Sequence, residues 1–321
     1  SSGILYEIPY RYYKYTADDS LLKESFAYFI RHLEFIKNKR TEEGFISYGL
    51  CDWAGPYEHL DKSPVPLELT DSIMYYSFLN TTDLASKILD LPLDDNLLIE
   101  KEDIKNRIMK KYIDNSGRCT VDEQASISML IFYDLYENIN PLKDQLKENI
   151  EKYDFHHHCG MLGLRHLYDA LTKRSLSDYA YRIITANGYP SYIDWITKRD
   201  ATTLCETFQD SNSQNHHMWS DFMAWIMKNL AGIQPKSAGF DDILVNPYLP
   251  DNLTYVNACM NTHKGKISVS WQKTKDIANF SISIPSGSKA KIYLQNAIFA
   301  DTGLKEASYF AGDYSFKLSM L

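Results

Sequence analysis

Through the first two thirds of the chain the apolar residues recur three and four apart, the spacing of one helix face. Leu22, Phe26, Phe29, Leu33 and Ile36 form the first stripe, behind the capping sequence Thr16-Ala17-Asp18-Asp19. Ser63-Pro64 offers an N-cap and a first-turn proline ahead of a helix over 67–78. Ile104, Ile108 and Tyr112 mark another helix, and Val121, Ala125, Met129, Phe132 and Leu135 the next. A shorter one covers 142–152, followed by the stripe Met161, Leu164, Leu167, Tyr168 and Leu171. Ser175 with Asp178 reads as a capping box before Tyr179, Ile183 and Ile184, and Gly188-Tyr189-Pro190 as the stop. A weak helix lies near 191–198, and Met218, Phe222, Trp225, Ile226 and Leu230 form the last long one, closed by Gly232. About nine helices with short connections and no fixed-period repeat predict an all-α array or toroid rather than a solenoid.

After Gly232 the period falls to two. Ile267, Val269 and Trp271 alternate with Ser268 and Ser270, and Phe280, Ile282 and Ile284 alternate with Ser281 and Ser283. Short strands follow at 291–294 and 314–318, and His263-Lys264-Gly265-Lys266 reads as a hairpin turn. The prediction is a helical domain over 1–233 and a small antiparallel β-sandwich over 234–321, with the boundary at Gln234-Pro235-Lys236-Ser237.

Composition narrows the function. The chain has 321 residues and a net charge of −8, with no long basic run, which argues against electrostatic binding of nucleic acid. No apolar stretch reaches transmembrane length. Cys51, Cys119, Cys159, Cys205 and Cys259 are odd in number and contain no CxxC pair, so neither a zinc framework nor a disulfide scaffold is expected. Aromatic residues make up 13% of the chain, enough both to fill cores and to supply stacking platforms for sugar rings.

The densest polar stretch runs from Asp200 to Asp221 and contains Glu206, Asn215, His216 and His217 among Thr, Ser and aromatic residues. A carboxylate held there could activate a water; a polar loop capping a helix at Ser213 explains the same residues. In Cys51-Asp52-Trp53-Ala54-Gly55-Pro56-Tyr57-Glu58, Asp52 could bind a sugar hydroxyl while Trp53 stacks. The alternative is an Asx turn with a packed Trp. His156-His157-His158 invites a metal, but adjacent side chains diverge and no distant motif completes a ligand set, so no metal and no cofactor are expected. Asp122-Glu123-Gln124 reads as acidic charge at a helix start.

Taken together these segments carry a resemblance. Ala201-Thr202-Thr203-Leu204-Cys205-Glu206 looks like the Ala-Thr-Thr-Ile-Trp-Glu signature of bacterial α-L-rhamnosidases, glycoside hydrolase family 78. Ser213-Gln214-Asn215-His216 resembles the Ser-Leu-Asn-His that follows it, and Gly188-Tyr189-Pro190-Ser191-Tyr192 the Tyr-Pro-Ser-Trp step. Cys51-Asp52-Trp53 resembles Gly-Asp-Trp, and Ala231-Gly232-Ile233, Pro247 and the run 265–271 resemble the exit into the C-terminal domain. The resemblance implies a six-hairpin (α/α)6 barrel followed by a β-sandwich, and inverting hydrolysis of terminal α-L-rhamnosides. It implies Glu206 as general base, with Asp52, Trp53, Tyr192, Trp195, Asn215 and His216 lining the sugar site.

Three departures bear on these expectations. Cys205 stands where the family has an aromatic, Thr207-Phe208 replaces Arg-Trp, and Tyr192 replaces Trp, so the preferred sugar could differ from rhamnose. The Arg-rich acidic motif that carries the family's general acid has no match in residues 1–51; Arg40-Thr41-Glu42-Glu43 reads better as a helix exit. The expectation is a toroid incomplete at its N-terminal end, an apolar patch left exposed near residues 1–40, and a general acid supplied by upstream domains of the same polypeptide. Two other readings stay open: a catalytically dead carbohydrate-binding relative, and another (α/α)6 enzyme such as a polysaccharide lyase or glucuronyl hydrolase.

Overall fold

The computed structural model describes residues 3–57, 62–209 and 213–321. Glu58, which neighbours the Asp-Trp step, and Asp210 lie outside the described residues. The chain divides into two compact units, one comprising Glu24–Phe222 with the first residues through Glu7, the other Ile8–Lys23 with Met223–Leu321.

In the helical unit the helices alternate in character. α3 (Leu67–Leu89), α5 (Gln124–Phe132) and α7 (Met161–Lys173) pack on one another, and each is followed by a partner, α4 (Asp95–Tyr112), α6 (Ile139–Lys152) and α8 (Ser177–Ile184). The inner helices are buried nearly all round: every residue of α5 from Gln124 to Ile131 is inside. Such a helix must sit among other helices, and its small residues Ala125, Ser126 and Ser128 let neighbours approach. Gly163 of α7 faces Ala125 with no room for a Cβ. The partners bury only a stripe, Ile104, Ile108 and Tyr112 on α4 and Leu142, Leu146 and Ile150 on α6. Since each inner helix begins where its connection from the preceding outer helix ends, the N-termini of α5 and α7 share one end of the unit with the loops between them.

Several element boundaries differ from the sequence expectation. α1 (Gly3–Thr16) carries no clear signal in the sequence, because Pro9 lies inside it and proline normally breaks a helix. α2 spans Ser20–Lys37, with Asp18 Oδ1 accepting from the Ser20 N–H at 2.9 Å. α3 begins behind Pro66 rather than at Ser63-Pro64. The Ser175–Asp178 capping box does not form: the N-cap of α8 is Leu176, with no side-chain cap bond, and Ser175 is left-handed at φ 59°. The last helix is short, α10 (Asp221–Trp225), and runs on as a π turn through Leu230. Ile4, Ile8, Tyr12 and Tyr15, one stripe along α1, are exposed, as are Tyr28 and Phe35 on α2.

In the other unit seven strands form one hydrogen-bonded sheet: β1 (Ile233–Pro235), β2 (Asp242–Val245), β3 (Tyr255–Thr262), β4 (Gly265–Thr274), β5 (Ile277–Tyr293), β6 (Ala297–Phe299) and β7 (Glu306–Met320). β5 and β7 pair along their length, through an irregularity between Ile284 and Lys289. On one side of it β5 also pairs β4; on the other it pairs β2 in parallel. The parallel pair was not foreseen, because β2 is only 4 residues long. The alternating residues Val269, Trp271, Phe280 and Ile282 share one core with Ile243, Val245, Ala290 and Ile292. Tyr15 of α1 packs edge-on against Phe240 at 5.6 Å.

Candidate active site

Glu206 lies in the connection after α9 (Tyr192–Arg199), and its backbone is fixed on both sides. Its N–H donates to the Ser213 carbonyl at 2.8 Å, and its carbonyl accepts from Trp219 Nε1 at 2.8 Å. The His216 N–H donates to the Leu204 carbonyl at 2.9 Å, so residues 204–206 and 213–216 run side by side. That pairing brings His216 Nδ1 to 3.8 Å from Glu206 Oε2, with the Glu206 side chain 23% exposed. Asn215 is exposed on the same segment. No helix starts at Ser213; a single 3-10 turn begins at His217.

The loop stands on an aromatic floor. Phe208 stacks on Trp195 at 4.7 Å and on His157 at 5.2 Å, and meets Trp219 edge-on at 4.7 Å. Tyr192 packs edge-on against Trp195 at 5.6 Å and donates to the Trp219 carbonyl at 2.9 Å. Both Tyr192 and Trp195 are buried, so they hold the loop from beneath and offer no open surface to a ligand. His157 is wholly buried with Nε2 2.6 Å from the Tyr168 hydroxyl. Burial disfavours the imidazolium and draws its pKa down to about 3.

Asp52 also turns inward. It accepts hydrogen bonds from the Tyr57 hydroxyl at 2.7 Å and from the N–H groups of Gly160 and Gly163 at 2.6 and 2.7 Å. These are N-terminal donors of α7, so Asp52 caps a helix distant in sequence. Burial raises its pKa, and the hydrogen bonds from Tyr57 and the α7 backbone oppose that rise. Trp53 is partly exposed, its carbonyl accepting from Met161 N–H at 2.9 Å. Gly160 lies so close to the Asp52 and Trp53 carbonyls that a Cβ there would collide with both. A side chain given no role by sequence, Gln209, joins the two loops: Nε2 donates to the carbonyls of Gly55 and Tyr57 at 2.8 and 3.0 Å.

Among the described residues no group of three His, Cys, Asp or Glu side chains could hold a metal ion, and no helix is long and apolar enough to cross a membrane. Glu123 stands at the start of α5, as its sequence position suggests, and makes a further contact. It is the N-cap residue of α5 but makes no cap bond; its carboxylate meets His158 instead. Nothing in the local sequence pairs residues 35 apart, so that contact could not be read from the chain.

Comparison with known proteins decides the family. The bacterial alpha-L-rhamnosidase six-hairpin glycosidase domain matches residues 2–230, and the bacterial alpha-L-rhamnosidase C-terminal domain matches residues 232–302. The chain belongs to the bacterial α-L-rhamnosidase family. An alpha-L-rhamnosidase of Formosa agariphila is 26% identical to this family member over 310 residues, 90% of this chain and 32% of that protein. The alpha-L-rhamnosidase structure from Dictyoglumus thermophilum superposes with a TM-score of 0.90 at 24% identity, covering 99% of this chain and 39% of the other. That of Streptomyces avermitilis, complexed with L-rhamnose, gives 0.87 at 19% identity, covering 98% and 32%. These likenesses establish the six-hairpin fold of the helical domain and the β-domain after it. The chain spans about a third of the length of the first curated rhamnosidase, 32%.

Proposed function

We propose that this chain carries the base-bearing part of an inverting α-L-rhamnosidase, with Glu206 as general base. The anchoring of Glu206 carries the reading: its N–H and C=O are both tied down, while its carboxylate stays partly open beside His216 at 3.8 Å. A base so held can take a proton from water without the loop rearranging. Trp53, Asn215 and His216 contact the sugar. Asp52, Tyr192 and Trp195 position the loops that present them.

Inversion needs a second carboxyl group, about 6.5–9.5 Å from the first, to protonate the leaving oxygen. In this reading the general acid comes from other domains of the same polypeptide. The substrate is a neutral glycoside whose sugar is rhamnose or a close relative, given Cys205, Thr207 and Phe208 where the family has other side chains.

The test is Glu206→Gln in the full-length enzyme on a natural rhamnoside. Turnover should fall roughly 10²–10⁴-fold with melting unchanged, and proton NMR of wild-type turnover should show the inverted anomer first. A variant that keeps near wild-type turnover removes Glu206 from the mechanism.

A further inference from the structure

A second polar pair stands at the same end of the helical unit. Glu123 Oε2 lies 3.2 Å from Nδ1 of His158. The imidazole is stacked face to face on Tyr153 at 3.7 Å, with the rings 8° from parallel, and Tyr57 meets it edge-on at 5.6 Å. The backbone is held as firmly: the His158 N–H donates to Gln124 Oε1 at 2.9 Å, and Gln124 Nε2 donates to the His156 carbonyl at 3.1 Å.

The fold does not need this histidine to start α7, because Asp52 and the Trp53 carbonyl take that helix's first N–H groups. Its neighbours place it between the two site loops. Tyr57, which touches its ring, offers its carbonyl to Gln209, three residues beyond Glu206. Met161, three residues beyond His158, donates to the Trp53 carbonyl.

A carboxylate can only accept, so Glu123 fixes the proton of the neutral imidazole on Nδ1 and leaves Nε2 an acceptor. The His158 and Glu123 side chains keep 23% and 18% of their surface open. One ring face lies on Tyr153 and the Nδ1 edge on Glu123, and among the described residues Nε2 has no hydrogen-bond partner.

We propose that His158 is a further sugar-binding residue of the Glu206 site, accepting a hydrogen bond from a substrate hydroxyl through Nε2, with Glu123 as the positioning residue that sets its tautomer. The proposal rests on the rhamnosidase reading for the identity of the sugar only.

In the full-length enzyme, His158→Leu should raise KM about 3- to 10-fold, the worth of one neutral hydrogen bond, with kcat within about 3-fold. Glu123→Leu should do the same, whereas Glu123→Gln, whose amide oxygen still accepts from Nδ1–H, should keep KM near wild type. Calorimetric titration of free L-rhamnose and related monosaccharides into a Glu206→Gln background reads binding without turnover. Unchanged KM and sugar affinity in both Leu variants overturns the proposal, and so does an equal rise in Glu123→Gln and Glu123→Leu. A wild-type enzyme that turns over no rhamnoside, yet binds a sugar more weakly after His158→Leu, would retain this site and discard the rhamnosidase reading.

Discussion

Gln209 donates from Nε2 to the Tyr57 carbonyl at 3.0 Å, and that contact ties the segment bearing Glu206 to the segment bearing Trp53. The amide spans two loops 152 residues apart in sequence. Gln209→Met keeps the volume and removes the donor. We expect kcat/KM to fall about 10-fold, with stability reduced by about 1 kcal/mol. Steady-state kinetics with a melting curve checks this; unchanged kcat/KM would show that the loops hold their places without Gln209.

Asp52→Asn tests the buried cap. The carboxylate faces three donors and no solvent, so an amide must turn an NH2 toward at least one N–H group. Leaving such a donor unpaired in the interior costs about 1–3 kcal/mol. The expected result is a lower melting temperature with KM of the folded enzyme little changed. A strong loss of sugar affinity at full stability would instead put Asp52 in contact with substrate.

His157 gives the loop an acid limit. Its folded-state pKa is depressed to about 3, so the imidazolium is favoured in the unfolded chain. The stabilisation from neutral His157 is complete above the ordinary histidine value near pH 6.5 and is lost progressively as pH falls towards about 3. At pH 5 the loss is about 2 kcal/mol. Tryptophan fluorescence from Trp195 and Trp219, which pack with Phe208 above His157, should report loosening between about pH 6 and 4. His157→Gln should flatten that dependence.

The exposed stripe of Ile4, Ile8, Tyr12 and Tyr15 along α1 should make the 321-residue chain associate in dilute buffer. Light scattering should show a concentration-dependent rise in mass that Ile4→Lys with Ile8→Lys reduces. A monodisperse wild-type chain at high concentration would contradict this.

The helices with a strong apolar stripe, among them α4, α6 and α7, were legible because their buried positions recur at one spacing. The loss of that period near Gly232 was equally plain. α1 was hidden by Pro9, and β2 by its brevity, since 4 residues carry no period. Glu206 and His216 stood out as a motif, and their backbone pairing brings them together. The burial of Asp52, Tyr192 and Trp195 was not legible. Each is a residue type that serves equally well at a surface or inside, and what decides between the two is a helix end or a ring supplied from far along the chain.

β5 and β7 stay paired on both sides of the irregularity between Ile284 and Lys289, although the register shifts there, so one continuous strand pair joins the two regions of the sheet. We expect the two regions of the sheet to open together. In native-state hydrogen exchange the amides of 277–284 and 289–293 should share one opening free energy despite lying on either side of the break.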